Sequence, residues 1–316
     1  MADWFTSRTF AASAFDIDAL SGAKRTAGLS VSVVLPALDE RETIGGVIDA
    51  VTPLMGTLVD ELVVIDSAST DGTAVIAAAH GARVVGAAEI APELGPVLGK
   101  GDALWRSLGA TTGDIIAWID ADIRNPSPDF VVGLLGPLLT VPEVGYVKGF
   151  YERPLQVGDV LHPVGGGRVT ELTARPLLNL FWPELAGLVQ PLSGEYAGRR
   201  TLLESVPFFT GYGVELGLLV DLLARLGPTG IAQVDLQLRI HRHQSLDALS
   251  RMAFGVGQVA ARRLCQSGRL ALPAEPDPTY LQFVREGGTV RPRSVDMPVV
   301  ERPAFADYRA GGALPT

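Results

Sequence analysis

Ile115-Ile116-Ala117-Trp118-Ile119-Asp120-Ala121-Asp122 decides how this 316-residue chain is read. Five apolar residues ending in two carboxylates are the pattern of a strand buried on both faces that delivers polar groups at its carboxyl end. Residues 31–35 and 62–65 are two earlier runs of the same kind. Helical patterns separate them. One starts at Thr43 and sets Ile44, Val47, Ile48 and Val51 on one face; another runs from Asp71-Gly72 to Ala79, and a third from Lys100 to Ala110. Strand alternating with helix implies a layered α/β fold with a mostly parallel sheet. In such sheets ligands bind beyond the carboxyl ends of the strands. Three polar segments follow the three strands: Pro36-Ala37-Leu38-Asp39-Glu40, Asp66-Ser67-Ala68-Ser69-Thr70-Asp71-Gly72, and Asp120-Ala121-Asp122. All three should meet at one sheet edge.

From Tyr146 the chain changes character. A glycine-rich loop at Gly165–Gly167 leads into a helix through Leu172 and Leu178. A polar turn follows at Ser193-Gly194-Glu195-Tyr196, then a helix over 214–226 and a strand over 231–240 that ends in His241-Arg242-His243. A further helix covers 246–264. The chain therefore divides into a lead-in over 1–29, anchored on the surface by Trp4, Phe5 and Phe10, a first half over 30–145, a second over 146–265, and a tail over 266–316. The tail is rich in Pro, Gly and charge and reads as extended, draped over a neighbour.

An apolar fraction of 47% marks a packed globular protein. The net charge of −9 repels nucleic acid at long range, so no nucleic-acid partner is expected. An anionic substrate would need positive charge supplied locally. The lone Cys265 has no internal partner and suits a reducing compartment. Residues 130–142, the most apolar run, are too short to span a bilayer and are broken by Gly136 and Pro137. A cytoplasmic protein with no membrane span is expected.

Asp120 and Asp122 offer hard oxygen ligands to Mg²⁺ or Mn²⁺. The D-x-D pattern alone also fits two solvated turn aspartates; the buried strand before it and Asn125-Pro126 after it favour the metal. His241, at a strand end, is a reasonable third ligand, and Arg239, two residues earlier on the same strand face, could reach a phosphate. Lys100 stands at a helix N-terminus, where an ammonium is unfavourable unless an anion sits beside it. Gly167-Arg168-Val169-Thr170 combines backbone N–H groups, a guanidinium and a hydroxyl, the donors a phosphate needs. The chain carries no Walker A ending, no G-x-G-x-x-G after its first strand, no nucleophile elbow and no cysteine zinc pattern.

Val33 to Glu40, Asp66 to Thr73, Gly99 to Trp105 and Asp120-Ala121-Asp122 resemble the GT-A fold of nucleotide-sugar transferases. Gly167 to Leu172 with Ala174 to Leu178, Gly211 to Glu215, and Arg239-Ile240-His241 resemble the narrower glucosyl-3-phosphoglycerate synthase family of actinobacteria. The resemblance runs from Trp4 to Leu264. It implies a retaining, metal-dependent hexosyltransferase that moves glucose from UDP-glucose to 3-phosphoglycerate, working as a homodimer. It places Pro36, Ala37, Leu38, Glu40, Ser67, Lys100, Asp120, Ala121 and Arg239 on the donor, Gly167, Arg168 and Thr170 on the acceptor phosphate, and Asp122 and His241 on the metal. Asp122, Lys100 and Glu215 form the catalytic set it implies. One departure is Asp39, where the family carries asparagine. Glycerate or polyprenyl phosphate as acceptor, GDP-mannose as donor, and a non-catalytic nucleotide-sugar binder are the competing readings.

Overall fold

The computed structural model describes residues 2–153, 155–157, 160–162, 167–240 and 244–311. Eight strands form the central sheet: β1 Thr9–Ala11, β2 Val31–Ala37, β3 Glu61–Asp66, β4 Arg83–Gly86, β5 Ile115–Trp118, β6 Tyr146–Glu152, β7 Tyr196–Arg199 and β8 Ile231–Leu238. Their order across the sheet is β1-β8-β6-β7-β5-β2-β3-β4. Neighbours run parallel except β7, which is antiparallel to both β5 and β6. The main helices are α1 Ile17–Ala27, α2 Ile44–Val51, α3 Thr73–Ala79, α4 Lys100–Ala110, α5 Asp129–Thr140, α6 Arg175–Phe181, α7 Val214–Leu226 and α8 Leu246–Gln266.

Both faces of the sheet are covered, as continuous apolar runs require. Side chains alternate along a strand, so neighbours enter opposite cores. Val31, Val33 and Leu35 of β2 pack with Ile44, Ile48 and Leu134, whereas Val34 packs with Leu104, Trp105 and Trp118 on the other side. Pro36 extends β2 beyond the predicted end at 35. It is tolerated because β5 pairs only with Val31–Val34 and leaves the strand's last turn toward the site.

The predicted helices over 100–110 and 214–226 form with those bounds, and the one expected to start at Thr43 runs Ile44–Val51 with Thr43 at its N-cap. Elsewhere the structure corrects the sequence reading. The lead-in supplies the edge strand β1, parallel to β8, and so belongs to the sheet. The two halves share one sheet, because β7 of the second inserts beside β5 of the first. The helix expected through Leu172 begins with a wide π turn at Thr170–Ala174 before α6.

The largest correction concerns the tail. Thr279–Glu286 and Thr289–Asp296 form an antiparallel ribbon, and Tyr280 stacks on Phe254 of α8. The chain then returns to the core. Arg302 donates from Nε and Nη2 to the two carboxylate oxygens of Asp102, at 2.8 and 2.9 Å. Phe305 is buried edge-on against Trp105. Among the described residues, no helix is long and apolar enough to cross a membrane.

At the edge of the sheet opposite the polar segments, Glu61 ties three strands together. Its carboxylate accepts from Ser32 Oγ, Thr112 N, Thr112 Oγ1 and Arg83 Nη2. Burial works to raise its pKa, but these donors overcome it and hold the carboxyl at about 2 against an ordinary 4.5. A depressed folded pKa contributes stability that is complete above 4.5 and lost as pH falls toward 2. Glu61→Gln should therefore lower the melting temperature at pH 7 and flatten the loss of stability between those two pH values. Circular dichroism melts across the acid range check both effects.

Candidate active site

A cavity of about 510 Å³ opens where the polar segments after β2, β3 and β5 converge. Pro36, Ala37, Leu38, Glu40 and Ser67 line one end; Lys100, Asp120, Ala121, Asp122, Glu215 and Arg239 line the middle; Gly167, Arg168 and Thr170 line the other end. Every described residue singled out from the sequence as a site candidate faces this one space. His241, with His243, Gly165 and Gly166, lies outside the described residues.

At the first end two loops are knitted together. Asp39 has φ of 56°, the left-handed region that Asn, Asp and Gly tolerate best. Its N–H donates to Ser69 Oγ at 2.9 Å, and its Oδ1 accepts from Thr70 N at 2.8 Å. The side chain serves here only as an acceptor, a role aspartate fills as well as the asparagine expected from the resemblance. Glu40 N donates to Thr73 Oγ1, and Ser67 N to Ala37 O.

The middle is a dense charge cluster. Lys100 Nζ lies 2.7 Å from Asp120 Oδ1 and 3.1 Å from Glu215 Oε1. The anion that its helix N-terminus calls for is thus supplied by two carboxylates of the protein itself. Burial pulls the Lys100 pKa down, but Asp120 and Glu215 more than reverse this and leave it above its ordinary value. Asp120 shows the mirror effect: burial would raise it, and Lys100 and Arg239 hold it well below the usual carboxylate range.

Arg239 differs from its sequence reading. The strand ends at Leu238, after a register shift and a φ of 69° at Gln237, so the period-two argument that paired Arg239 with His241 does not apply. Nor is its guanidinium uncommitted. Nη2 donates to Asp120 Oδ2 at 3.0 Å and Asp122 Oδ1 at 2.5 Å, while Nη1 lies 3.0 Å from Glu195 Oε1.

Asp120 and Asp122 fit a divalent cation. Both are hard oxygen donors, and the Asp122 side chain keeps 31% of its surface open in the cavity. Mg²⁺ is ordinarily held by one or two carboxylates plus substrate phosphates. The Asp120 carboxylate sits in a cradle that only glycine permits: a Cβ on Gly194 would lie 1.9 Å from Asp120 Oδ2. Among the described residues no third His, Cys, Asp or Glu completes a cage.

At the other end, Arg168 donates to Gln244 O at 3.2 Å, and Thr170 is buried in the π turn. Arg153, which sequence reasoning missed, lines the same cavity and donates to Tyr151 Oη. Among the described residues, both guanidiniums donate to neutral groups. Also missed were Glu195, Tyr151 and Lys148 beneath the cavity floor. Lys148 had a readable signal, a lone lysine amid the apolar residues of β6. It is fully buried, donates to Ser193 O at 2.7 Å, and stands 4.0 Å over the Tyr196 ring; burial drops its pKa to about 7.

Residues 32–153 match the family described as glycosyl transferase family 2. A glucosyl-3-phosphoglycerate synthase from Mycolicibacterium smegmatis is 50% identical over 306 residues, covering 97% of this chain and 98% of that protein. The chain belongs to the glucosyl-3-phosphoglycerate synthase family. Its fold is therefore GT-A, and solved structures agree. The glucosyl-3-phosphoglycerate synthase of Mycobacterium tuberculosis, in complex with Mn²⁺, uridine-diphosphate-glucose and phosphoglyceric acid, superposes with a TM-score of 0.81 at 46% identity, over 93% of this chain and 96% of that one. A mannosyl-3-phosphoglycerate synthase from Rubrobacter xylanophilus reaches a TM-score of 0.90 at 44% identity, over 97% of each chain.

The glycine cradle yields a direct test. In this synthase family member, Gly194→Ala forces the Asp120 carboxylate to shift by more than 1 Å. A misplacement of that size is expected to cost roughly 100-fold in turnover. Steady-state rates should show the loss, with the circular dichroism spectrum of the folded protein retained and the melting temperature lowered by the overpacking.

Proposed function

We propose that this chain transfers glucose from UDP-glucose to the 2-hydroxyl of 3-phosphoglycerate, with retention at the anomeric carbon and with Mg²⁺ or Mn²⁺ bound. The observation that carries the reading is the split character of the cavity. One end is polar and loop-built, the middle holds carboxylates matched to Lys100 and Arg239, and the far end presents Arg153 and Arg168 bonded to neutral groups. 3-Phosphoglycerate carries two anionic ends, a phosphate and a carboxylate. Two guanidiniums suit it better than they suit glycerate, which has one.

In this reading Pro36, Ala37, Leu38, Glu40 and Ser67 hold the uridine, and Asp120 and Ala121 the ribose side of the donor. Asp122 and Asp120 would hold the metal, with His241 as a further ligand. The metal supplies charge neutralisation at the departing diphosphate. Lys100 and Arg239 add fixed positive charge at the same place. Gly167, Arg168 and Thr170 take the acceptor phosphate. Glu215, held by Lys100, lies near the reacting hydroxyl and orients it. Both carboxylates nearest Lys100 are committed to cations, so the acceptor hydroxyl attacks on the face the diphosphate leaves, and a diphosphate oxygen receives its proton. The lone Cys265 supports a cytoplasmic location. A homodimer belongs to the same proposal; Leu281, Phe283 and Val290 are exposed along one side of the tail ribbon.

The mannosyl reading rests on the likeness to the Rubrobacter xylanophilus structure. A thermal shift larger with GDP-mannose than with UDP-glucose would favour it. For the metal, Asp122→Ala should abolish nearly all turnover with the fold retained, and EDTA should do so reversibly. Full activity in EDTA would rule the metal out.

The acceptor reading is tested by Arg168→Ala. It should weaken 3-phosphoglycerate by roughly 2–4 kcal/mol, read as a higher KM, and leave UDP-glucose affinity nearly unchanged. Arg168→Lys should rescue only in part, since an ammonium lacks the bidentate fork. The control is plain glycerate. A wild type that prefers glycerate, or an Arg168→Ala that weakens both acceptors equally, would remove the phosphate from this end of the cavity.

A further inference from the structure

We propose that Glu195, on the turn Ser193-Gly194-Glu195, is a positioning residue that aims the Arg239 guanidinium at the donor diphosphate. The inference rests on the donor role assigned to Arg239 above. Glu195 is fully buried and does not line the cavity, so it cannot touch the donor itself. Its carboxylate takes the inner edge of Arg239. Oε1 lies 3.0 Å from Nη1, and Oε2 lies 3.2 Å from Nη1 while accepting from Tyr151 Oη at 2.6 Å. Tyr151 Oη also accepts from Arg239 Nη1 at 2.6 Å. That leaves Nη2 as the edge turned to Asp120 and Asp122 on the cavity wall.

The turn that carries Glu195 is fixed to the strand that also fixes Arg239. Lys148 Nζ donates to Ser193 O, Ser193 Oγ donates to Gly149 O at 2.5 Å, and Gly149 N donates to Glu195 O at 2.9 Å. Arg239 N donates to Glu152 O at 3.1 Å. Lys148, Gly149 and Glu152 all belong to β6, so donor arginine and buried carboxylate share one reference. The same turn seats Asp120 through Gly194.

Stability alone does not account for a carboxylate in this place. A buried ion pair costs desolvation that apolar side chains of the same volume avoid. What Glu195 adds is direction. With its charge removed, the carboxylates left on Arg239 among the described residues are Asp120 and Asp122, and the guanidinium, already bonded to them through Nη2, is drawn further onto them and away from the diphosphate.

Glu195→Gln keeps the volume and an acceptor for Tyr151 but removes the charge. Calorimetric titration with UDP in the presence of Mg²⁺ should show affinity weakened about 10-fold, the lower range for losing an outer-shell partner. The KM for UDP-glucose should rise in step, with the KM for 3-phosphoglycerate and the melting temperature little changed. Unchanged UDP affinity, or an equal rise in both KM values, would overturn the proposal. Glu195→Asp keeps the charge and draws it back; a loss confined to UDP supports the proposal even if the glutamine variant does not fold, and a loss shared by both substrates counts against it. Arg239→Gln separates the two levels. If it leaves UDP affinity intact, the donor role of Arg239 is wrong; if it weakens UDP while Glu195→Gln does not, only the positioning role is lost.

Discussion

Asp120 carries a cation on each oxygen, Lys100 Nζ at 2.7 Å from Oδ1 and Arg239 Nη2 at 3.0 Å from Oδ2. The three residues come from the start of α4, the end of β5 and the exit of β8; the first two lie 20 positions apart in sequence and Arg239 lies 119 beyond Asp120. Meeting at one carboxylate requires that all three elements finish at the same sheet edge. The parallel run of β2, β3 and β5 supplies half of that condition. The insertion of antiparallel β7 between β5 and β6 supplies the rest, since it sets how far β8 stands from β5. A charge held this way is expensive to leave unpartnered in a buried site, so the cluster and the topology constrain each other.

The first half of the chain was legible because its strands are buried on both faces and its helices have one apolar face. Periodicity records both facts. The segments after each strand were legible for the same reason: once the strands are known, their carboxyl ends are known. β1 and β4 were not seen, because they are short and only partly buried, so they lack the continuous apolar run that marks β5. β7 was hidden more thoroughly. Its first residue, Tyr196, follows Gly194-Glu195, and small polar residues there read as a turn, which they also are. Glu195 could not be found from pattern at all. A buried carboxylate looks in sequence like any surface glutamate until its partner, Arg239, is brought to it by the fold.

The tail shows how composition misleads. Proline, glycine and charge are marks of a solvated segment, yet Arg302 is buried because Asp102 is buried. Asp102 sits in the first turn of α4, two residues after Lys100, and also accepts from Leu98 N at 2.9 Å. Trp105 of the same helix donates to Pro303 O at 2.7 Å. The end of the described chain therefore clamps the helix that presents Lys100. Residues about two hundred positions away set the stiffness of the site without lining it.

Four cationic and four acidic side chains line the cavity, in a chain whose net charge is −9. At physiological ionic strength a charge is screened over about 8 Å, so what a bound group feels is the local arrangement. That arrangement is polarised. Lys100 and Arg239 are spent on Asp120, Asp122 and Glu215, which leaves the middle of the cavity one negative charge in excess until a diphosphate and its cation arrive together. Arg153 and Arg168 face neutral groups among the described residues and keep the far end positive. An acidic protein can thus collect an anionic acceptor, because four of its cationic side chains converge on one cavity. The order of charges along the cavity, cation-paired carboxylates first and open guanidiniums beyond them, is what gives donor and acceptor different ends to bind.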